Sequence, residues 1–288
     1  MKKILLLIFI SLLHCTIKAQ EVLEPSSKNH PEWSKPFPPF RIVGNLYYVG
    51  TADLACYLIV TPKGNILINT GLASSEKMIR ESIKTLGFKL SDTKILLTTQ
   101  AHFDHLGAMA AIKKSTGAKF MVDYADAQVA ADGGRSDYDL DGKVSVFKPV
   151  KIDRILHDKD IISLGGMELV MLHHPGHTKG SCSFLFTVND QNRIYRVLIA
   201  NLPTIVTDRK FTDIPAYPHI AEDYDYTLRS MKDLKFDLWV ASHGIQFDLL
   251  KKHKPGDSYN PAAFMDVKNF YDYLDELQVE YDKKMEKD

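Results

Sequence analysis

A chain of 288 residues in which 36 lysines and arginines balance 36 aspartates and glutamates carries no net charge at neutral pH. That balance removes the electrostatic grounds for a nucleic-acid or strongly acidic partner, and a hydrophobic content of 45% suits one large core, or at most two domains. No low-complexity tract and no repeat period points to a solenoid.

Met1-Lys2-Lys3 is a positive start, followed by an apolar run of about ten residues over 4–13. Such a run is too short to cross a bilayer as a helix. Ile17-Lys18-Ala19 then offers a small residue at a cut, so residues 1–19 are expected to be a cleaved signal peptide and 20–288 a single exported domain. The expectation is a periplasmic monomer with no stable membrane insertion after cleavage. An uncleaved anchor helix is disfavoured, as is a lipid anchor at Cys15, because His14 stands where a small residue is needed. Cleavage leaves Cys56 and Cys182, both in apolar strand-like contexts that read as buried free thiols.

Residues 20–40 are rich in proline and polar groups, with Trp33 and Phe37 as anchors onto the body. Gly44-Asn45 and Thr61-Pro62-Lys63-Gly64 read as hairpin turns between apolar strands at 41–43, 46–49, 54–60 and 65–69. Helices are predicted over 74–88, 107–116, 124–131 and 223–234, each with a buried stripe or a glycine stop. Strands are predicted at 94–99, 119–122, 161–172, 182–188, 194–200 and 236–241, and 135–153 reads as a polar loop. Near the end, Asn260 reads as a cap and Pro261 as the first turn of an amphipathic helix carrying Phe264, Val267, Phe270, Leu274 and Leu277. Strands cluster with a few helices in each half and no regular βαβ alternation is visible. The fold class this favours is α+β, two central sheets face to face with helices on the outer faces.

The chemistry-bearing stretch is Gln100-Ala101-His102-Phe103-Asp104-His105, directly after the apolar strand at 94–99. His102 and Asp104 are two apart and His105 then turns away, so one short loop can face two ions. His177 lies between Gly176 and Gly180, and His243 precedes Gly244, each just past another apolar strand. Nitrogen and carboxylate ligands without thiolate suit zinc with an open coordination position. His14, His30, His157, His173, His219 and His253 read as structural histidines, and His174 is left unassigned.

These residues, with His173-His174-Pro175-Gly176-His177-Thr178-Lys179-Gly180-Ser181 and Trp239-Val240-Ala241-Ser242-His243, resemble the metallo-β-lactamase superfamily, whose fingerprint is His-x-His-x-Asp-His followed by two distant histidines. The resemblance covers essentially all of residues 20–288 and is nearest to class B enzymes of the third subclass, in particular the GOB type, in which glutamine replaces the first motif histidine. It implies an αββα sandwich with one or two zinc ions: one held by Gln100, His102 and His177, the other by Asp104, His105 and His243. It further implies hydrolysis of β-lactams (penicillins, cephalosporins, carbapenems) by metal-bound hydroxide, oriented by Asp104, and hence antibiotic resistance. Thr204, just after Leu202-Pro203, is placed to bind the substrate carboxylate, and Tyr138 to line the cleft.

Two departures from the wider superfamily bear on function. Gln100 offers a neutral amide oxygen, a weaker zinc ligand than imidazole, so its half of the centre is expected to bind the looser ion. Asn201-Leu202 stands where thioesterases and phosphodiesterases of the superfamily carry a bridging aspartate, which disfavours those branches. The ligand set also fits a lactonase acting on acyl-homoserine lactones. A non-catalytic periplasmic zinc-binding protein on a decayed scaffold is a third reading, against which stand five ligand positions intact in type.

Overall fold

The computed structural model describes residues 22–24 and 28–288. The expected signal peptide, 1–19, and Cys15 lie outside the described residues.

Two sheets pack face to face. The first runs in the order β1 (Phe40–Val43), β2 (Leu46–Tyr48), β3 (Tyr57–Thr61), β4 (Gly64–Ile68), β5 (Thr93–Leu97), β6 (Lys119–Asp123), β7 (Arg154–Leu156). The second comprises β8 (Ile161–Leu164), β9 (Met167–His173), β10 (Cys182–Asp190), β11 (Arg193–Ala200) and β12 (Leu238–Ala241), in consecutive spatial order. Strands β1 to β4 are antiparallel meanders, whereas β4 to β7 are parallel and β12 joins β11 in parallel.

The helices are α1 (Glu76–Thr85), α2 (Phe103–Leu106), α3 (Met109–Thr116), α4 (Ala127–Asp132), α5 (Ile220–Lys232), α6 (Leu249–Lys252) and α7 (Val267–Met285). The period of two in β4 and β5 divides their side chains between two cores. Ile66, Ile68, Ile95 and Leu97 point into the core shared with Phe184, Val197 and Trp239 of the second sheet. Leu67 and Leu96 point the other way, onto Ile79 and Ile83 of α1 and Ile112 of α3. Both faces of these strands are therefore covered, which is why they read as continuous apolar runs. Helices α5 and α7 cover the second sheet through Leu228, Met231, Phe270 and Leu274.

The α+β sandwich matches the expectation from element order. Locally, however, β4–α1–β5–α3–β6 is a βαβαβ run, an alternation that the surrounding antiparallel strands obscure in sequence. Strand β7 was not expected, because three residues are too few to show a period. The last helix starts later than predicted: Pro261 opens a separate 3₁₀ turn, Pro261–Phe264, and α7 is capped by Asp266, whose carboxylate accepts the Asn269 amide at 3.2 Å. Cys56 and Cys182 are buried free thiols. Among the described residues no helix is long and apolar enough to cross a membrane.

The strand ends bring the two sheets together at one edge. Thr99, just past β5, accepts the Cys182 amide at 2.8 Å, and its hydroxyl lies 2.9 Å from that of Ser242, just past β12. Asn69, just past β4, sits at φ +60° and is fully buried. Its Oδ1 accepts the Thr99 amide at 2.9 Å, and this fixed bonding accounts for a backbone state few residues adopt.

Candidate metal centre

The loop after β5 turns directly into α2, so Asp104 and His105 project from a single helical turn while His102 precedes it in extended conformation. The loops after β9 and β12 bring His177 and His243 to the same edge. Ligand atoms of Asp104, His105 and His243 all lie within 4.8 Å of one another, a spacing able to grip one cation. Asp104 Oδ2 is 3.3 Å from His105 Nε2 and 3.4 Å from His243 Nε2. The rings of His102 and His177 form a second pair, centroids 5.0 Å apart.

Three of the four histidines have one ring nitrogen engaged on the side away from this cluster. His102 Nε2 faces Asp137 Oδ2 at 3.2 Å, His177 Nδ1 donates to the Thr204 carbonyl at 2.9 Å, and His243 Nδ1 donates to Asp53 Oδ2 at 2.9 Å. Each such bond orients the ring and leaves the opposite nitrogen to a metal, which displaces any proton it carries. His105 differs. Both its nitrogens are buried, and its close polar neighbour is Asp104 Oδ2, 3.3 Å from Nε2. Gln100 Oε1 is likewise buried and unpartnered. Buried acceptors without partners are costly, and a cation taken up by Gln100 Oε1 and the unprotonated nitrogen of His105 removes the cost at both. The donor set thus fits zinc.

Electrostatics follow the same division. Burial alone would raise the Asp104 pKa, but His105 and His243 hold it well below the usual carboxylate range. Burial pushes His177 down to about 3, helped by repulsion from His102. Burial opposes the protonated form of His102 and His243 too, yet Asp137 raises the first to about 9, and Asp104 with Asp53 raises the second to about 9.

A buried carboxylate braces the whole edge. Asp126 accepts the Ala101 amide at 2.8 Å, the Thr178 hydroxyl at 2.7 Å and the Gly180 amide at 2.8 Å, so it joins the loop of His102 to the loop of His177. A Cβ on Gly180 would lie 2.4 Å from the Asp126 amide nitrogen, so only glycine permits this approach. Asp53 joins His243 to the N-terminal segment: its Oδ2 also accepts Trp33 Nε1 at 3.0 Å, and its Oδ1 accepts the Ile245 amide at 2.9 Å. Asp53, Asp126 and Asp137 were missed in the sequence, where isolated aspartates in loops carry no spacing signal.

Thr204 is half-buried beside His177, with its carbonyl also accepting the Tyr224 hydroxyl at 3.0 Å. Tyr138 is buried rather than facing a cleft. It packs on Tyr217, and its hydroxyl donates to the His177 carbonyl at 3.0 Å. Leu202 is buried and the Asn201 side chain accepts the Ser242 hydroxyl, so neither supplies a bridging carboxylate.

Residues 53–190 match the family model described as the metallo-beta-lactamase superfamily. The chain is 64% identical to the class B3 di-zinc metallo-beta-lactamase LRA-12 from an Alaskan soil metagenome, covering 91% of this chain and 99% of that one with a TM-score of 0.89. It is 56% identical to the metallo-beta-lactamase GOB-18 from Elizabethkingia meningoseptica, covering 94% and 100%, with a TM-score of 0.92. An N-acyl homoserine lactonase from Bacillus cereus is 25% identical over 203 residues, 62% of this chain and 74% of that protein. Over another curated relative, from Aquifex aeolicus, the chain spans 60% of the length.

Proposed function

Since the chain belongs to the class B3 branch of the metallo-β-lactamase superfamily, we propose that it is a zinc-dependent β-lactamase that opens the lactam amide of β-lactam antibiotics. The observation that carries this reading is the meeting of Asp104, His105 and His243, from parts of the chain more than 130 residues apart in sequence order, in one buried cluster. We assign one ion to these three residues and a second, looser one to Gln100, His102 and His177.

When bound, zinc supplies an acidified water as nucleophile and a Lewis acid for the lactam carbonyl and leaving nitrogen. The chain does the rest. Asp104 stays ionised at neutral pH because two imidazoles face its Oδ2, which leaves Oδ1 as the atom to orient the attacking water. Asp53 and the Thr204 carbonyl hold His243 and His177 in a single tautomer through the reaction. No serine or cysteine nucleophile is needed: Cys56 and Cys182 are buried and burial pushes both thiols up. The Thr204 side chain, fixed beside His177, is assigned to the substrate carboxylate. The positive start and apolar run at the head of the chain support action in the periplasm, which cell fractionation tests; a monomer is the proposed state, which size-exclusion chromatography tests.

A lactonase is the second reading, favoured by the match to the homoserine lactonase. One assay separates the two. A carbapenem, a chromogenic cephalosporin and an acyl-homoserine lactone are offered with and without a chelator. Chelator-sensitive, zinc-restored turnover of the β-lactams is expected, and turnover of the lactone alone would overturn the proposal.

A further inference from the structure

The two halves of the centre differ in where their negative charge resides. In one, Asp104 is itself part of the cluster. In the other, Gln100 is a neutral amide with an unpartnered Oε1, and His177 leans on a neutral carbonyl. The carboxylate that touches a ligand side chain of that half is Asp137, which is buried and held by an Asx turn: Oδ1 accepts the amides of Asp139 and Leu140 at 2.9 and 2.7 Å, and Oδ2 faces His102 Nε2 at 3.2 Å. The next residue, Tyr138, donates to the main chain of His177. Arg209 Nη2 in turn donates to the Tyr138 carbonyl at 2.6 Å and pins the dipeptide. One dipeptide therefore braces both histidines of the Gln100 half.

We propose that Asp137 is the positioning residue that sets cation affinity in the Gln100 half, supplying negative charge beside three neutral ligands, one of them a weak amide donor. A carboxylate behind an imidazole keeps the proton on Nε2, orients the ring and makes Nδ1 a stronger donor to a cation. Asp53 is its counterpart behind His243, so each half has one carboxylate bonded to a ligand imidazole from outside the ligand set. The inference rests on the zinc reading given above.

The test is calorimetric titration of the chelated full chain with zinc, beside the melting temperature of the zinc-free protein. Asp137→Asn removes the charge, and Asp137→Ala removes charge and orientation. Each is expected to weaken the looser site by about 10–100-fold, the alanine variant more, with the tighter site unchanged. Asp53→Asn is expected to weaken the tighter site instead. Adding Gln100→His to Asp137→Asn should recover affinity at the looser site. Two unaltered sites in Asp137→Ala would overturn the inference, as would equal weakening of both sites with a fallen zinc-free melting temperature, which marks a general structural role. A parent protein that takes up no zinc would instead refute the reading beneath it.

Discussion

Asp126 Oδ2 lies 2.7 Å from Thr178 Oγ1, across 52 residues of sequence, and the same oxygen accepts the Ala101 amide. This contact makes the His102 and His177 loops one rigid unit. The carboxyl is fully buried, and burial raises its pKa to about 6. Replacing it with alanine strands the Ala101 and Gly180 amides, both already desolvated, and leaves the Thr178 hydroxyl with Ser181 alone. Asp126→Ala is expected to lower stability by about 3 kcal/mol, read by urea unfolding of the zinc-free protein. A loss within about 0.5 kcal/mol would show that the loops are held by other means.

Gln100→His places imidazole where the amide stands. The weaker of the two zinc affinities should rise on the order of tenfold or more, about 1.4 kcal/mol. Calorimetric titration of the two proteins side by side checks this. Equal affinities at both sites in the parent chain would contradict the ranking of the two halves.

Asp104→Ala removes a ligand and the water-orienting carboxylate together. Turnover of a carbapenem should fall by well over the roughly 100-fold upper range expected of a partner behind a ligand. Near-parental kcat in this variant at saturating zinc would refute the metal assignment.

A Tyr138 lining the cleft would affect substrate choice alone, but the residue is buried and its loss bears on stability. Tyr138→Phe loses one hydrogen bond to the His177 carbonyl, worth about 1 kcal/mol. Tyr138→Ala leaves a cavity in the cluster with Phe211, Ile214 and Tyr217 and should cost about 3–5 kcal/mol. Thermal unfolding distinguishes the two variants. A Tyr138→Ala protein as stable as its parent, altered only in substrate preference, would place Tyr138 in the cleft instead.

His174 gives the zinc-free protein a pH signature. It is buried with Nδ1 on the Ser183 hydroxyl at 2.8 Å, and burial lowers its pKa from 6.5 to about 3. The unfolded chain therefore binds a proton between these two values that the folded chain refuses. Stability from this group is fully present above about pH 6.5 and is lost as pH falls toward 3, at up to about 1.4 kcal/mol per pH unit. His174→Gln should flatten the dependence between pH 6.5 and pH 4 relative to the parent, measured by urea midpoints across that range. Parallel curves for the two proteins would show that His174 is not the titrating group.

Much of this centre was legible in the chain because its signal is local. His102, Asp104 and His105 share one turn, and His177 and His243 stand beside glycines at strand ends, so residue type and spacing announce them. The paired sheets were legible for the same reason, since alternation in a strand and a stripe in a helix are short-range patterns. The carboxylates behind the ligands were not. Asp53 reaches His243 across 190 residues, and Asp137 reaches His102 across 35. Nothing beside either aspartate marks it as different from any other loop aspartate. Tyr138, polar-looking in a polar segment, became a buried brace for the same reason. A side chain's bonding partner and its exposure are set by which distant strands pack together, and packing is a property of the assembled sandwich rather than of any stretch within it.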